Sequence, residues 1–526
     1  EVSFDLESLR EHIFITGSTG SGKSNTVYEL VSRLNSPKKD KDKISTLIIE
    51  PAKGEYKQIF GEKFNTYGTN PAITELLRIN PFKFEKEIHI LEHIDRLIDI
   101  FNVCWPMYAA MPAVLKAAVE NAYIQCGWSL STSTNKYGYD LFPCFTDLLE
   151  SLRIIINDSD YSQEVKDNYT GSLITRVKSL TNGLNGQIFT ANEIDSIKLF
   201  EESTIVDLSR IGSSETKSMI MGIIVMRLQE YRMSKGGINL PLKHVTVIEE
   251  AHNLLKRTSY EQSSESANLL GKSVEMISNA IAEMRTYGEG FVIVDQAPGL
   301  LDMSVIRNTN TKIIMHLPDM TDRELVGKSA GMSDDQLMEL AKIPAGVASV
   351  YQNRWIEPVL CHVDYYEVKP QKYLRKSQSI LKMQDEGEVK QHIVKYLIAL
   401  RNNNDCLVDM EKFEEYLVKS NLKASLKISI LSLIKSDKEI SKIAIEKLVC
   451  DLVDSDNRIF QKVKCVTDIS EWNKALIDNL EISTEDLSTN NILNILECLI
   501  HYRSLGKDVA EENFLKWMKY MGRKVV

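Results

Sequence analysis

Residues 12–25 read HIFITGSTGSGKSN. Ile13-Phe14-Ile15 is a short apolar run of the kind that forms a buried strand. It stops at Gly17, and from there the chain fits G-x-x-x-x-G-K-[ST] through Gly17, Gly22, Lys23 and Ser24. Thr26 to Leu34 then has helical character. Strand, glycine loop and helix in that order is the setting of a phosphate-binding P-loop, which an ordinary glycine turn lacks. Glycines let the backbone curl without Cβ clashes, so successive N–H groups can point at one phosphate. The start of the following helix adds its positive end. Gly17, Thr19, Gly20, Ser21, Gly22, Lys23, Ser24 and Asn25 are therefore the predicted nucleotide cradle. Lys23 is expected to reach the β- and γ-phosphates, and the Ser24 hydroxyl to hold Mg²⁺.

A P-loop needs an acidic partner, and the chain offers one far downstream. Val245 to Ala251 reads VTVIEEA, a buried strand that ends in two carboxylates. Side chains alternate along a strand, so the two face differently at its end. Glu249 is assigned to Mg²⁺ and Glu250 to the attacking water. Phe291 to Val294 is another apolar strand, and Asp295-Gln296 stands at its end. Gln296 there suits a sensor of the γ-phosphate or of the water; a turn glutamine is the plainer alternative. Thr46 to Ile49 is a further buried strand that delivers Glu50-Pro51-Ala52-Lys53-Gly54-Glu55-Tyr56. Ligands of doubly wound sheets sit beyond the carboxyl ends of the strands. Glu50, Lys53 and Glu55 are thus expected near the phosphates or the rim of a pore, or else in a polar turn.

The rest of the chain supplies the frame. Glu1 to Arg10 reads as a leading strand and turn, and Pro37 to Lys43 as a charged surface loop. Ile88 to about Phe200 is mostly helical, with a polar loop at Ser129 to Tyr139. Arg176 and Lys178 in it are more in keeping with a solvated face than with a phosphate contact. Strands are also expected at Ser203–Ser209, Lys312–His316 and Ala348–Gln352, with a helix at Ser218–Tyr231 whose methionines fill the core. Lys256 to Asn268 is polar and Ser-rich, the composition of a loop. Strands alternating with helices make a mostly parallel sheet covered on both faces. After Val368 glycine becomes rare, and Lys, Leu, Ile, Asn and Glu dominate in helical patterns.

Composition narrows the class. The 526 residues are too many for one ordinary domain. No apolar run reaches the roughly 18 residues of a membrane helix. Eight cysteines without a C-x-x-C pair fit a reducing cytoplasm better than a zinc site or a disulfide framework. The formal charge is −10, so any nucleic acid must be held by a local basic lining inside an acidic body.

With four blocks in place the chain resembles the HerA branch of the HerA/FtsK superfamily of hexameric DNA-translocating ATPases. The carriers are GSTGSGKSN, EPAKGEY, VIEEAHNLL and EMRTYGEGFVIVDQAPGLLDMSVIRNTNTKIIMHL, within about Val2 to Val368. The resemblance implies an α/β fold with a RecA-like P-loop core over residues 1–368; the helical insertion at about 90–200 and the all-α C-terminal domain over 369–526 come from the helical patterns, and that domain goes beyond the minimal family core. It implies a homo-hexamer that hydrolyses ATP with Mg²⁺ at subunit interfaces. Lys23, Ser24, Glu249, Glu250 and Gln296 carry over to the family's nucleotide roles. Arg285, in E-M-R-T where the family has E-G-R-K, is the candidate arginine finger for the next subunit, with Arg307 and Arg354 in reserve. Met284 in place of glycine, and Pro51-Ala52-Lys53 in place of the commoner D-P-H wording, are departures. The family usually has a small β-barrel ahead of the P-loop, absent here; either an N-terminal part is missing, as a start at Glu1 suggests, or this relative is shortened.

The expected function is an ATP-driven ring motor that binds and translocates double-stranded DNA without sequence preference. Lys53, Lys57, Lys256 and Arg257 are the candidate phosphate contacts. Enlarged relatives of this kind resemble the ATPases of anti-phage systems, which work with a nuclease or a sirtuin-type NADase. The alternative is an ATP-regulated scaffold that activates an effector enzyme without moving DNA. A monomeric small-molecule kinase explains neither the Gln296 block nor an interface arginine.

Overall fold

A computed structural model describes residues 3, 5–36, 44–108, 110–257, 266–368, 373–374, 386–402, 410–435, 441–455, 457–484, 487–506 and 511–522. The charged run Pro37–Lys43, and residues 258–265 of the Ser-rich stretch, lie outside these.

The strands in chain order are β1 (Ile13–Thr16), β2 (Ser45–Glu50), β3 (Asn65–Gly68) and β4 (Glu75–Leu76), then the hairpin of β5 (Trp128–Ser129) and β6 (Thr134–Asn135). They continue with β7 (Thr204–Asp207), β8 (His244–Ile248), β9 (Glu289–Asp295), β10 (Thr311–Ile314), β11 (Val347–Gln352) and β12 (Val359–His362). All but the hairpin form one sheet in the order β12-β11-β10-β1-β9-β8-β2-β7-β3-β4. From β10 to β4 every neighbouring pair is parallel, while β11 and β12 close the other edge antiparallel. The mostly parallel α/β sheet is as read from the sequence. Strands β3, β4 and β12 and the hairpin were not anticipated. Among the described residues the leading strand is not found: Leu6–Glu11 is a turn of 3₁₀ helix, with only Leu9 of it buried.

Period-two alternation decides which helices cover which face. Ile13 and Ile15 of β1, Ile48 of β2, Val245 and Val247 of β8 and Val292 and Val294 of β9 share one core. That core is closed by α1 (Lys23–Leu34) through Val27 and Val31, and by α2 (Tyr56–Phe60) through Tyr56 and Phe60. Phe14, Leu47, Ile49, Ile248, Phe291 and Ile293 turn to the opposite face. There they meet the helices Ile90–Cys104 and Ser214–Ser234 and the remaining helices of the insertion. Met219, Met221 and Met226 are buried core, as their composition suggested.

The helices from Glu386 onward build a separate core around Ile393, Val449, Leu499 and Trp517. They dock on the insertion through polar clasps. Asp147 Oδ1 accepts the Ala424 N–H at 2.8 Å. Asn421 Oδ1 accepts the Ala191 N–H at 2.9 Å and the Thr190 hydroxyl at 3.1 Å. Among the described residues no helix is long and apolar enough to cross a membrane.

One residue at the root of β1 makes the fold pH-sensitive. His12 is 1% exposed, and its Nδ1 accepts the Phe291 N–H at 3.1 Å, so the ring is neutral. Burial pushes its pKa down to about 4. The unfolded chain takes up that proton near 6.5, so this contribution is complete above pH 6.5 and is lost as pH falls to 4. The full loss is on the order of 3 kcal/mol. Urea denaturation at pH 7 and pH 4.5 is expected to show a smaller stability difference in a His12→Gln variant than in wild type. Equal differences would contradict the assignment.

Candidate active site

The site is assembled at the carboxyl ends of the parallel strands. β9 lies between β1 and β8, with Thr16 beside Asp295 and Ile248 beside Ile293. The strand that delivers the loop and the strand that delivers the carboxylates are thus separated by one additional strand. At the end of β1 the chain enters the loop, and Gly22 caps α1 with φ +110°, a conformation that strains any side chain. A Cβ there would also lie 2.9 Å from Met315 Cε. Lys23 begins the helix, and its Nζ donates back to Gly17 O at 2.5 Å and Ser18 O at 3.0 Å. Burial lowers its pKa; Glu250, Glu249 and Asp295 push the other way, while Lys53 adds to the lowering. Lys23 and the two carboxylates therefore share one electrostatic pocket.

Glu249 and Glu250 do face differently. Glu249 is held by the phenol of Tyr56, which donates to its Oε1. Burial raises its pKa to about 7, against the lowering effect of that bond and of Lys53. Glu250 takes a left-handed backbone, φ 45° and ψ 53°, uncommon for a residue with a Cβ and typical of strain kept at working sites. Its Oε2 is buried without a hydrogen-bond partner and lies 3.6 Å from His252 Nδ1. Burial, then the neighbouring Asp295 charge, raise its pKa. Gln296 is exposed and its Oε1 accepts the Thr19 hydroxyl at 3.0 Å, which ties the end of β9 to the loop.

Residues not singled out from the sequence complete the pocket. His252 donates to Asp295 by its backbone N–H at 2.8 Å and by Nδ1 at 2.9 Å. Donor atoms of Glu250, His252 and Asp295 lie within 4.8 Å of one another. The Nδ1–H is already spent on Asp295, so this trio is first a hydrogen-bonded brace behind Glu250. Its signal was present as the His two places after the acidic pair. Tyr56, the last letter of the EPAKGEY block, gave no hint of its partner. Ser18 Oγ and His316 Nδ1 are 2.9 Å apart, which fixes the loop to the end of β10.

The block after β2 divides. Glu50 is 2% exposed and turns under the loop, accepting the N–H groups of Glu55 (2.7 Å) and Tyr56 (3.4 Å). It is a structural acid, its pKa pushed up to about 8 by burial. Lys53, at φ 62°, reaches over the P-loop, with Nζ 3.1 Å from Ser24 Oγ and 3.4 Å from Glu55 Oε1. This is the phosphate side of the loop expected from the sequence. Lys57 is not a DNA contact. It is 9% exposed, and its ammonium is spent on Asp207 Oδ2 at 2.6 Å and Gly54 O at 2.7 Å. Lys256 and Arg257 are exposed. Arg176 is half-buried and donates to Pro106 O at 3.3 Å, while Lys178 is exposed.

Arg285 lies elsewhere. It is exposed in the turn Met284–Tyr287 that leads into the amino end of β9, about 20 Å of strand from Gln296. Arg307, ahead of β10, and Arg354, after the antiparallel β11, are exposed at the same edge. Arg285 cannot reach its own phosphate site.

The family model for the central domain of helicase HerA matches residues 1–228. The chain is 24% identical over 376 residues to the DNA double-strand break repair helicase HerA of Sulfurisphaera tokodaii, covering 70% of this chain and 68% of that one. The HerA of Sulfolobus acidocaldarius gives 24% over 377 residues with the same coverage. The chain is a P-loop ATPase similar to the HerA helicases. The match with the HerA helicases runs well beyond the 228 residues of the family model. Among solved structures, VirB4 of Thermoanaerobacter pseudethanolicus superposes with a TM-score of 0.51 at 15% identity, covering 68% of this chain and 89% of that one. That likeness speaks to the fold, a RecA-like P-loop ATPase sheet.

Proposed function

We propose that this HerA-type ATPase is a ring motor that binds double-stranded DNA and moves along it. The observation that carries this is the additional-strand site itself, with Gln296 on β9 wired to Thr19 of the loop. That wiring links the hydrolysis pocket to a strand whose other end carries the exposed Arg285. In a homo-hexamer, Arg285 of one subunit would approach the nucleotide of the next and stabilise charge on the γ-phosphate. Within each site Lys23 binds the β- and γ-phosphates, Glu250 orients water and Gln296 senses the γ-phosphate. Ser24 and Glu249 offer the hard oxygen donors that Mg²⁺ takes. Lys53 Nζ, 3.1 Å from Ser24 Oγ, supports a positive charge at that point.

The division of labour follows the cores. Residues 1–368 would form the motor with its insertion, and 369–526 a helical platform for an effector, a nuclease or a sirtuin-type NADase, in anti-phage defence or DNA-end processing. Lys256 and Arg257 remain candidate phosphate contacts. Phosphate-directed binding predicts little sequence preference and a steep fall of affinity with salt. Filter binding of unrelated duplexes at 50 and 200 mM salt is expected to show similar affinities at each salt and a loss of roughly a hundredfold or more between them. No retention at any salt would remove the motor reading.

The net charge of −10 and the separately cored C-terminal helices favour a second reading, an ATP-regulated scaffold. In that case effector activity survives a Glu250→Gln substitution that ends ATP turnover.

A further inference from the structure

The direction of a bound triphosphate follows from where its ends must lie. Glu249 and Glu250 end β8 and Gln296 follows β9, and both strands lie on the same side of β1. The γ-phosphate therefore points towards β9 and β8. The sugar and base must leave the loop on the other side, above β10 and β11.

The chain builds a wall there. Gly346, left-handed at φ +81°, lies against the loop and donates its N–H to Ser21 O at 3.0 Å. A Cβ on Gly22 would come within 3.3 Å of Gly346 N. Beyond β12 the chain passes beside it, with the Val363 N–H on Gly346 O at 2.8 Å. It then crosses the first turn of α1. Asn25, directly after Ser24, donates its carboxamide N–H to Asp364 O and accepts the Tyr366 N–H, each at 2.8 Å. This two-point clamp fixes the backbone on both sides of residue 365. Tyr366 turns inward, its ring 6.1 Å from Tyr28 and 6.0 Å from Phe60. Tyr365 turns outward and is 80% exposed. A large aromatic ring on a pinned backbone, left bare beside a nucleotide loop, is what a planar base needs as a stacking surface.

We propose that Tyr365 is the base-recognition residue of the ATP site, its ring stacking on adenine, with Asn25 as the residue that positions it. This rests on the ATPase assignment and goes beyond it by naming what grips the base. It also gives the Asn25 side chain a task other than phosphate contact.

The test separates base from phosphate. Affinities of the full chain for Mg·ATP and for magnesium tripolyphosphate are measured in wild type, Tyr365→Ala and Tyr365→Phe. Tyr365→Ala is expected to lose about tenfold in ATP affinity with tripolyphosphate binding unchanged, and Tyr365→Phe to match wild type for both. KM for ATP should rise with kcat little changed, the signature of lost uniform binding. Unchanged ATP affinity in Tyr365→Ala, or equal losses for the two ligands, overturns the proposal. So does a Phe variant as weak as Ala, or a loss of assembly by mass photometry with ATP affinity intact. A wild-type chain that binds neither ligand would count against the ATPase assignment itself, and the proposal would fall with it.

Discussion

Glu250→Gln is expected to leave ATP binding within a few-fold of wild type and to slow hydrolysis by about a thousandfold. The groups expected to hold the triphosphate are elsewhere: the loop backbone, Lys23 and Ser24. What Glu250 adds is a carboxylate aimed into the pocket by a left-handed backbone, with one oxygen that no protein group satisfies. Behind it, Asp295 and His252 form a fixed brace, so the side chain has little freedom to be replaced by a neighbour. Gln keeps the shape and gives up the ability to take a proton from water. It also removes the repulsion between Glu250 and Asp295, so the protein should fold at least as well as wild type. Single-turnover hydrolysis and ATP titration on the same preparation check both halves. Turnover within threefold of wild type would contradict the role.

The largest expected effect on stability lies at the opposite end of the sheet. Glu289 is fully buried where β9 begins, and its Oε1 accepts from His244 Nδ1 at 2.8 Å and the Thr246 hydroxyl at 2.7 Å. Its Oε2 accepts from Arg232 Nε at 2.9 Å. Burial would raise its pKa, but His244 and Arg232 outweigh it and hold the carboxyl down to about 2. Glu289→Ala leaves a guanidinium that is 5% exposed with Glu201, the Phe200 carbonyl and the face of the Tyr231 ring, and without its buried carboxylate. Breaking a buried pair from one side is expected to destabilise by about 3–5 kcal/mol. Removing Glu29 from its exposed pair with Arg33 should change stability by less than about 1 kcal/mol. Urea denaturation of the two variants checks the contrast, and similar losses in both would contradict it.

What could be read from the sequence was what local pattern alone decides. β1, β2, β8 and β9 are short and mostly apolar because both faces of each are covered, and each ends at a glycine or carboxylate. Glu250 and Gln296 could be placed because each closely follows such a strand, and Lys23 because the glycine loop joins it to one. β3, reading NTYG, has too little apolar character to be seen, and β12 is an exposed edge whose pairing with β11 alone makes it a strand. Lys57 looked like a free cation because nothing nearby in sequence shows Asp207, 150 residues on, closing over it. Arg285 could be recognised as an arginine beside a strand, but only the strand's direction shows which edge it occupies. His252 and Tyr56 act through Asp295 and Glu249, partners that the topology brings together.

The account turns on ATP being held between the P-loop and the end of β8. A structure of the full chain with Mg²⁺ and a non-hydrolysable ATP analogue tests this most directly. The prediction is that Lys23 Nζ leaves the Gly17 and Ser18 carbonyls for the γ-phosphate, with Glu250 and Gln296 facing that phosphate from β8 and β9. A γ-phosphate that points away from β8, or a nucleotide bound with Lys23 still on those carbonyls, would contradict it.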